Sequence, residues 1–306
     1  MNFRWILAVL TLWGACACGK PDTPVDTSQG PDVWRPVGGD DNGGDNGNGG
    51  GGGSTETAYY PKASGSFRIV SYNVGAFSKY MTTGTGSTEM IAKMILEVEA
   101  DAVGLNECDS VNTRHNTNQV ANLANFAGGW QWWFGRAMAY RSGAYGNGVI
   151  VPGSAKVSAK YTVPLAKGSG SEARSIAVIE TDKYVIGAAH LDHTSAEAQL
   201  AQVQIVNNWA AMKYDGAKKP VFFLGDMNAY PDSQTIAALK REWNLLSVTT
   251  ENSFPSRNPA NCIDYIFHYK GSAAVKAVGS HVMTKFRDGD VTMASDHLPI
   301  YADVQF

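Results

Sequence analysis

Residues 223–228 read Phe223-Leu224-Gly225-Asp226-Met227-Asn228. The apolar run from Val221 to Leu224 is typical of a short buried strand. The carboxylate of Asp226 follows at the point where this strand ends, and the amide of Asn228 comes two residues later. A buried strand that ends in an acid presents that acid at the edge of its sheet. The stretch therefore predicts a sheet edge that carries polar, reactive groups.

The same arrangement recurs along the chain. Further apolar runs are bounded by an acid, an amide or an imidazole, in Val70-Ser71-Tyr72-Asn73, Gly104-Leu105-Asn106-Glu107, Ala188-Ala189-His190, Ile263-Asp264-Tyr265-Ile266-Phe267 and Ser295-Asp296-His297-Leu298-Pro299. If these ends converge, they form a pocket of oxygen ligands and proton carriers. Hydrolysis of phosphoesters with a divalent metal requires groups of this kind.

Size and charge narrow the classes of protein to consider. The chain has 306 residues, 44% of them hydrophobic and 17% charged, which is ordinary for a globular fold. Its net charge is −3, but residues 62–306 carry 22 basic and 21 acidic side chains. A non-specific nucleic-acid binder usually has a strong basic excess. The near-neutral body therefore does not favour nucleic acid as a partner, although a local basic patch would be compatible with it.

The N-terminus has the pattern of an export signal. Arg4 precedes an apolar run from Trp5 to Trp13, which is too short to span a bilayer as a helix. Small residues then lead to Cys16, as in the cleavage site of a bacterial lipoprotein, with Cys18 as the alternative lipid site. We expect residues 1–18 to be a lipoprotein-type signal peptide that leaves the protein exported and lipid-anchored in the cell envelope. A plain cleaved signal peptide is the other interpretation.

Residues 19–61 are rich in Gly, Asp and Asn and contain few large apolar side chains, so we expect a flexible linker. A single folded domain is predicted over residues 62–306. Its two cysteines, Cys108 and Cys262, allow one disulfide, but two free buried thiols are the favoured state.

Periodicity within the domain predicts four helices and a larger number of strands. The helices are predicted at 87–98, 118–126, 195–212 and 231–239, and the strands at 67–73, 102–105, 130–140, 148–151, 175–180, 184–189, 221–224, 262–269, 273–281 and 300–306. Strands and helices do not alternate strictly. This order favours mixed sheets packed face to face, with helices outside.

Seven short motifs, in this order and with this spacing, resemble those of the endonuclease/exonuclease/phosphatase superfamily: SYN, GLNE, YGNGVIV, AHLDH, GDMN, IDYIF and SDHLPI. The resemblance extends over residues 67–306. It implies an α/β fold of the DNase I-like type, in which two mixed β-sheets flanked by helices form a four-layer sandwich. It also implies hydrolysis of a phosphoester with a divalent metal. One departure is Asn106, which stands where Gln is commoner.

The resemblance assigns roles residue by residue. As metal ligands or their supports it implies Glu107, Asn73 and Asp296; as catalytic groups His190, Asp226, Asn228, Asp264 and His297; and as substrate-binding groups Arg174, Asn147 and His193. Asp264 would fix the tautomer of His297, and either His297 or Asp226 could act as the general base. The metal is expected to be Mg²⁺, with Mn²⁺ or Ca²⁺ as alternatives.

The predicted function is metal-dependent hydrolysis of a phosphoester by in-line attack of water. A phosphodiesterase or phosphatase that acts on a small or lipid-linked substrate is the first candidate, because the body is near neutral and a membrane anchor is predicted. An extracellular endo- or exonuclease is the alternative. A third interpretation is a catalytically silent lipoprotein that acts as a binding module at the cell surface. The full set of acids and imidazoles disfavours it. A monomer is expected.

Overall fold

A computed structural model describes residues 58–77 and 87–306 of the chain. The predicted signal peptide, its candidate lipid sites Cys16 and Cys18, and most of the predicted linker lie outside the described residues.

All four predicted helices are present, each with ends within three residues of the prediction. A fifth, one-turn helix was not predicted. Side-chain oxygens of Asn118, Ser195 and Ser233 each accept a hydrogen bond from the first turn of the helix that follows, which explains where those helices begin. The helices are α1 (Thr88–Glu97), α2 (Gln119–Phe126), α3 (Ala196–Tyr214), α4 (Gln234–Glu242) and α5 (Val291–Ala294), and a short 3₁₀ turn spans Gly75–Phe77.

The strands form two mixed sheets of six strands each. They are β1 (Phe67–Asn73), β2 (Ala102–Ser110), β3 (Gln131–Tyr140), β4 (Gly143–Val151), β5 (Val157–Leu165), β6 (Arg174–Thr181), β7 (Val185–Ala189), β8 (Val221–Asp226), β9 (Trp243–Leu245), β10 (Asp264–Tyr269), β11 (Lys276–Val282) and β12 (Ile300–Gln305). The first sheet has the order β11-β12-β1-β2-β4-β3, and the second β5-β6-β7-β8-β10-β9. The predicted class, an α/β sandwich of two mixed sheets flanked by helices, is confirmed.

Four strand predictions were incomplete. β2 continues to Ser110, well past its predicted end at Leu105, because it pairs again with β4 beyond an irregularity in register. β4 begins at Gly143, well before the predicted start at Gly148, because it pairs with strands on both sides and this pairing overrides the weak strand preference of Gly. β5 was not predicted; it is an edge strand that contains Lys160 and Pro164, which are unusual in a buried strand. β9 has only three residues, too few for a periodic signal.

One part of the core lies between the two sheets and continues beneath α1 and α2, and the other lies on the outer face of the second sheet. Alternate residues of β8 divide between them: Phe222 and Leu224 join the first part, whereas Val221 and Phe223 join the second, beneath α3 and α4. The sheets approach closely at Gly104, where an added Cβ would lie 2.5 Å from Leu224 Cδ1. Burial on both faces holds the ends of central strands such as β7 and β8 in place.

Both cysteines of the domain are free and buried, as expected. Within the described ranges, none of the helices has the length and hydropathy needed to cross a membrane.

Candidate active site

Strand pairing gathers the predicted site residues at one end of the sandwich. β1 and β2 are parallel, and Asn73 lies opposite Asn106, so that Glu107 follows beside it. β7 and β8 are also parallel, and β10 runs antiparallel to β8 with Asp264 directly opposite Asp226. Groups that are up to 224 residues apart in sequence thereby come within hydrogen-bond distance.

The position of Glu107 depends on an irregularity in β2. The pairing of β2 with β4 shifts register between Leu105 and Cys108, and Glu107 has a φ of 58°. A bulge redirects a side chain, and a left-handed non-glycine residue stores strain of a kind that often occurs at functional sites. The Glu107 side chain is half-buried, and its Oε1 accepts a hydrogen bond from Asn73 Nδ2 at 3.1 Å.

Asn73 connects the two sheets. Its Nδ2 lies 3.1 Å from Glu107 Oε1, 3.0 Å from Asp226 Oδ2 and 3.4 Å from His297 Nε2. Its Oδ1 accepts from the backbone N–H of Gly75 at 3.2 Å, which fixes the direction of the amide. Asn73 therefore presents a donor to the carboxylates on both sides of the site.

Asp226, Asp264 and His297 form the centre of the site. His297 Nδ1 donates to Asp264 Oδ2 at 2.9 Å, which leaves Nε2 facing Asp226 Oδ2 at 3.6 Å. Among the residues that the structure describes, these three are the group whose potential ligand atoms all lie within 4.8 Å of one another, a spacing that could also hold a metal ion. The tautomer that the sequence predicted for His297 agrees with this geometry.

Burial and neighbouring charges shift the pKa values of Asp226 and His297. Burial raises the pKa of Asp226, and the Asp264 carboxylate raises it further, which outweighs the opposing effects of His297 and of hydrogen bonds from Asn228 and Asn73. Burial lowers the pKa of His297, but the carboxylates of Asp264, Asp226 and Asp296 outweigh burial and raise it. Several carboxylates therefore surround one imidazole, an arrangement suited to holding and moving a proton.

His190 and Asn228 extend the cluster along the second sheet. Asn228 follows β8 with a φ of 48°, and its Nδ2 donates to the carbonyl oxygen of Leu191 at 3.1 Å. The same nitrogen lies 2.8 Å from His190 Nε2, which is itself 3.5 Å from Asp226 Oδ2. His190, Asn228, Asp226 and His297 are thus brought together as predicted from their motifs.

Asp296 is buried beside His297, and its charge contributes to the raised pKa of that histidine. Its Oδ1 lies 3.5 Å from Ser295 Oγ. The cluster of close ligand atoms includes neither Asp296 nor Glu107.

The predicted substrate-binding residues form two further groups. Arg174 is buried; its Nη1 lies 3.2 Å from Glu172 Oε2, and its Nη2 lies 3.1 Å from His193 Nδ1. Arginine can only donate, so Nδ1 of the exposed His193 accepts. Arg174 Nε is buried and has no hydrogen-bond partner among the described residues.

Asn147 lies inside the structure and supports the second sheet. It is 2% exposed, its Nδ2 donates to Ser175 O at 2.8 Å, and its Oδ1 accepts from Asn106 Nδ2 at 2.9 Å. Asn106 Oδ1 in turn accepts from the backbone N–H of Asp226 at 2.9 Å. These contacts position the end of β8, and a contact of Asn147 with substrate stays a prediction.

Sequence reasoning did not identify two neighbours of the central cluster. Ser253 Oγ donates to Asp264 Oδ2 at 2.6 Å, and the Phe254 ring centroid lies 4.6 Å from that of His297. Both residues belong to a loop without a motif, so the sequence contains no signal that would have placed them here. Asn106 was noted only as a departure, yet it links two site residues.

The chemistry of the donors is compatible with a hard divalent ion near Glu107. Mg²⁺ prefers one or two carboxylates, together with water and phosphate oxygens. Glu107 is half-exposed, and within residues 58–77 and 87–306 its only hydrogen bond is the one from Asn73 to Oε1, which leaves Oε2 available. Asn73 faces Glu107 with its nitrogen, so in this arrangement it orients the carboxylate rather than offering an oxygen.

Residues 70–297 match the sequence profile of the endonuclease/exonuclease/phosphatase family, and the chain belongs to this family. The family includes phosphatases, phosphodiesterases and nucleases, which are hydrolases of phosphoesters, and its enzymes typically use divalent metals. No curated protein matches the chain in a sequence comparison.

Solved structures of the same fold include three with different descriptions. An endonuclease/exonuclease/phosphatase from Beutenbergia cavernae DSM 12333 aligns with a TM-score of 0.64 and 21% identity, over 79% of this chain and 72% of its own. A mannosyl-6-phosphatase of Bacteroides thetaiotaomicron VPI-5482 aligns with a TM-score of 0.63 and 19% identity, over 78% of this chain and 100% of its own. D. rerio TDP2, complexed with a single-strand DNA product, aligns with a TM-score of 0.58 and 16% identity, over 79% of this chain and 99% of its own. At these identities the likeness establishes the fold.

Proposed function

We propose that this protein is a Mg²⁺-dependent phosphodiesterase or phosphatase that hydrolyses a small or lipid-linked phosphoester by in-line attack of water. The observation that supports this most strongly is the hydrogen-bonded connection from Glu107 through Asn73 to Asp226 and His297. It joins an available carboxylate to a proton-transfer cluster across the two sheets.

Glu107 would hold the metal ion, with Asp296 as a further ligand of it or of a second ion. When bound, the ion would supply electrostatic stabilisation of the charge that builds on the phosphoryl oxygens. Asn73 keeps Glu107 oriented through its amide nitrogen. Mn²⁺ or Ca²⁺ would satisfy the same oxygen donors.

The remaining residues would move protons and bind the phosphoryl group. Asp264 holds His297 with Nε2 directed toward Asp226, so either His297 or Asp226 can accept a proton from the attacking water. His190 and Asn228 lie on the other side of Asp226, and Asn228 Nδ2 donates to His190 Nε2. Once a phosphoryl oxygen replaces this hydrogen bond, both side chains would donate to it as charge develops. Arg174 would contact the phosphate, and His193 beside it would bind the substrate.

The substrate class is inferred from charge and from the N-terminus. The body is near neutral, which is compatible with a small or membrane-linked phosphoester. The mannosyl-6-phosphatase among the structural neighbours also acts, by its description, on a small phosphate ester. A nuclease is the alternative, and the neighbour complexed with single-strand DNA motivates it.

The first experiment compares the purified full-length protein with Glu107→Gln. Hydrolysis would be measured with Mg²⁺ against single- and double-stranded DNA, RNA, sphingomyelin, phosphatidylinositol phosphates and bis-p-nitrophenyl phosphate. Glu107→Gln should lower turnover by about 10²- to 10³-fold or more, the effect of removing one electrostatic stabiliser. Glu89→Gln, which alters an exposed ion pair on α1, is the matched control and should behave like the wild type.

Wild-type turnover by the Glu107→Gln variant would contradict the metal assignment. Preferential hydrolysis of DNA or RNA would support the nuclease instead. No metal-dependent turnover of any compound in the panel would argue against the proposed enzyme and for a binding role.

We also propose that the protein is exported and lipid-anchored through Cys16. Cys16→Ser should release it into the soluble fraction of fractionated cells, whereas Cys18→Ser should leave it with the membranes. The opposite pattern would assign the anchor to Cys18, and release by neither variant would reject the lipid anchor.

A further inference from the structure

Two loops beside Glu107 hold two arginines against one tyrosine. Arg114, in the loop between β2 and α2, has its Cζ 5.1 Å from the ring centroid of Tyr140. Arg141, at the tip of the β3–β4 hairpin, has its Cζ 5.4 Å from the same centroid, and its Nε donates to Tyr140 Oη at 3.0 Å. The ring of Tyr145 follows at a centroid distance of 5.9 Å from Tyr140. We call Arg114, Tyr140, Arg141 and Tyr145 the rim.

The rim adjoins the metal-binding side of the candidate active site. Tyr145 pairs with Asp109, which lies two residues beyond Glu107 on β2. The tip of the hairpin lies beyond Ser110, since Ala144 pairs with that residue. At about 3.3 Å per residue, the rim therefore begins beside Glu107 and ends roughly 13 Å from it.

The two loops that carry the rim are fixed to each other. Thr113 N donates to Arg141 O at 2.9 Å, and Asn112 Nδ2 donates to Ala144 O at 3.3 Å. Gly143 lies so close that an added Cβ would be 2.0 Å from Val111 O. The backbone that carries the two arginines is therefore held in place, so that less conformational entropy is lost on ligand binding than from a mobile loop.

The backbone of the hairpin tip is strained at Arg141 and Ser142. Arg141 has a φ of 47° and Ser142 a φ of 69°. A two-residue hairpin loop with both residues at positive φ favours Asn-Gly, because the Cβ of other residues disfavours the left-handed region. Arg at this position is therefore a poor choice for the turn itself, and such strain is often associated with function.

The charge of the rim is only partly neutralised. Arg114 Nε and Nη2 donate to the buried carboxylate of Asp109 at 2.6 and 2.9 Å. Arg141 is exposed, and its terminal nitrogens form no ion pair or hydrogen bond with any residue that the structure describes. A guanidinium with free terminal nitrogens can bind a phosphate through two parallel hydrogen bonds.

We propose that the rim binds a second phosphate group of the substrate, on the Glu107 side of the phosphate that is hydrolysed. Arg141 supplies the free guanidinium and Tyr140 positions it, while Arg114, whose charge is paired with Asp109, packs against the Tyr140 ring. This inference rests on the proposed function, and it narrows the substrate class to compounds with two phosphate groups, either free or linked to a lipid.

The test measures binding to the full-length protein by titration calorimetry without added divalent metal, so that turnover does not interfere. The ligands are inositol 1-phosphate, inositol 1,4-bisphosphate, and phosphatidylcholine vesicles with or without phosphatidylinositol 4-phosphate. The wild type should bind the bisphosphate at least about tenfold more tightly than the monophosphate, the size expected of one charge-assisted contact. Arg141→Gln should remove this preference and leave monophosphate binding unchanged.

Two variants control for charge and for positioning. Gln keeps the unbranched side chain of Arg141, so turn strain is unaltered. Arg241→Gln removes an exposed arginine at the end of α4 and should keep the full preference. Tyr140→Phe removes only the hydroxyl that accepts from Arg141 and should reduce the preference partially. Arg141-dependent binding to vesicles that contain phosphatidylinositol 4-phosphate would support a lipid-linked substrate. Binding that is confined to the soluble bisphosphate would support a free substrate.

The proposal is overturned if the wild type does not prefer the bisphosphate, or if Arg141→Gln retains the preference. Failure of the proposed function would look different: hydrolysis would be absent or independent of Glu107, while the Arg141-dependent difference in binding would persist.

Discussion

The first sheet carries a buried ion pair, Arg68–Asp303, whose arrangement contrasts with that of the candidate active site. Arg68 donates from Nε to Asp303 Oδ1 at 2.7 Å and from Nη2 to Oδ2 at 2.6 Å. Its Nη1 donates to the carbonyl oxygens of Tyr60 and Val98, and its Cζ lies 4.1 Å from the Tyr301 ring centroid. One cation meets one carboxylate, and the geometry is bidentate.

In the candidate active site, carboxylates outnumber the cation. Asp226, Asp264 and Asp296 all act on His297, and Asp264 Oδ1 is buried without a hydrogen-bond partner among the described residues. Buried charges are tolerated when they are paired and hydrogen-bonded, and they are unfavourable when they are not. The comparison indicates that Arg68–Asp303 stabilises the fold, whereas the cluster of the candidate active site is less favourable for stability, as the proposed role in proton transfer would require.

The largest effect is expected from Asp303→Ala, which would leave Arg68 buried without its carboxylate. The free energy of unfolding should fall by about 3–5 kcal/mol, the usual effect of removing one partner of a buried ion pair. Urea denaturation would measure this, and kcat of the folded protein should be unchanged. Asp182→Ala, at an exposed carboxylate, is the control and should change stability by less than about 0.5 kcal/mol. If Asp303→Ala lowered kcat without lowering the free energy of unfolding, the Arg68–Asp303 pair would have a functional rather than a stabilising role.

His297→Asn should affect catalysis far more than folding. The Asn amide nitrogen can replace Nδ1–H as the donor to Asp264, but nothing replaces Nε2. We expect kcat to fall by at least about 10²-fold, as for the loss of a general acid or base. His268→Asn is the matched control, because His268 is equally buried but hydrogen-bonds Ala273 O outside the cluster. A change confined to KM would indicate that His297 only binds substrate.

Asp264→Asn separates orientation from proton transfer. Asp264 does not face the reacting phosphate in the proposed function; it accepts from His297 Nδ1 and from Ser253 Oγ. Removing its charge should lower kcat by about 10- to 100-fold, the range typical of groups that orient a functional histidine. Ser253→Ala, which leaves the charge in place, should have a smaller effect measured in the same kinetic assay. Equal losses in Asp264→Asn and His297→Asn would mean that Asp264 takes part directly.

The sequence predicted which residues meet, but not how they contact one another. The motifs placed Asn73, Glu107, Asp226 and His297 at strand ends, and parallel strands bring such ends to one edge. The hydrogen bond from Asn73 to Asp226 spans 153 residues and depends on the packing of two sheets, which periodicity does not encode. The prediction therefore identified the end of the sandwich, and the structure supplied the connection across it.

Elements governed by tertiary pairing were the hardest to predict. The β3–β4 hairpin turns at Arg141-Ser142, which lacks the Gly or Asn typical of such turns. The position of the rim could therefore not be predicted from the sequence. Gly146 lies within β4 although Gly disfavours strands, because an added Cβ would be 2.1 Å from Gly135 O. Local preference yields to close backbone approach at both positions.

The smallest effect is expected from Asp192→Asn, which tests whether location or hydrogen bonding decides the role of a buried carboxylate. Asp192 lies two residues from His190, yet it is fully partnered, like Asp303. Its Oδ1 accepts from the backbone N–H of Thr194 at 2.8 Å and of Ser195 at 2.9 Å, and its Oδ2 accepts from Ser171 N at 2.8 Å.

Burial alone would raise the pKa of Asp192, but the hydrogen bonds from Thr194, Ser171 and Ser195 outweigh burial and lower it to about 2. A depressed folded-state pKa stabilises the protein above the ordinary pKa of Asp, and this contribution is lost as the pH falls toward 2. At neutral pH, Asp192→Asn should therefore destabilise the fold by about 1–2 kcal/mol. Denaturation of both proteins across this acid range would measure whether the difference disappears. If the variant instead lost kcat without losing stability, proximity to His190 would matter more than hydrogen bonding, and the contrast with Asp303 would fail.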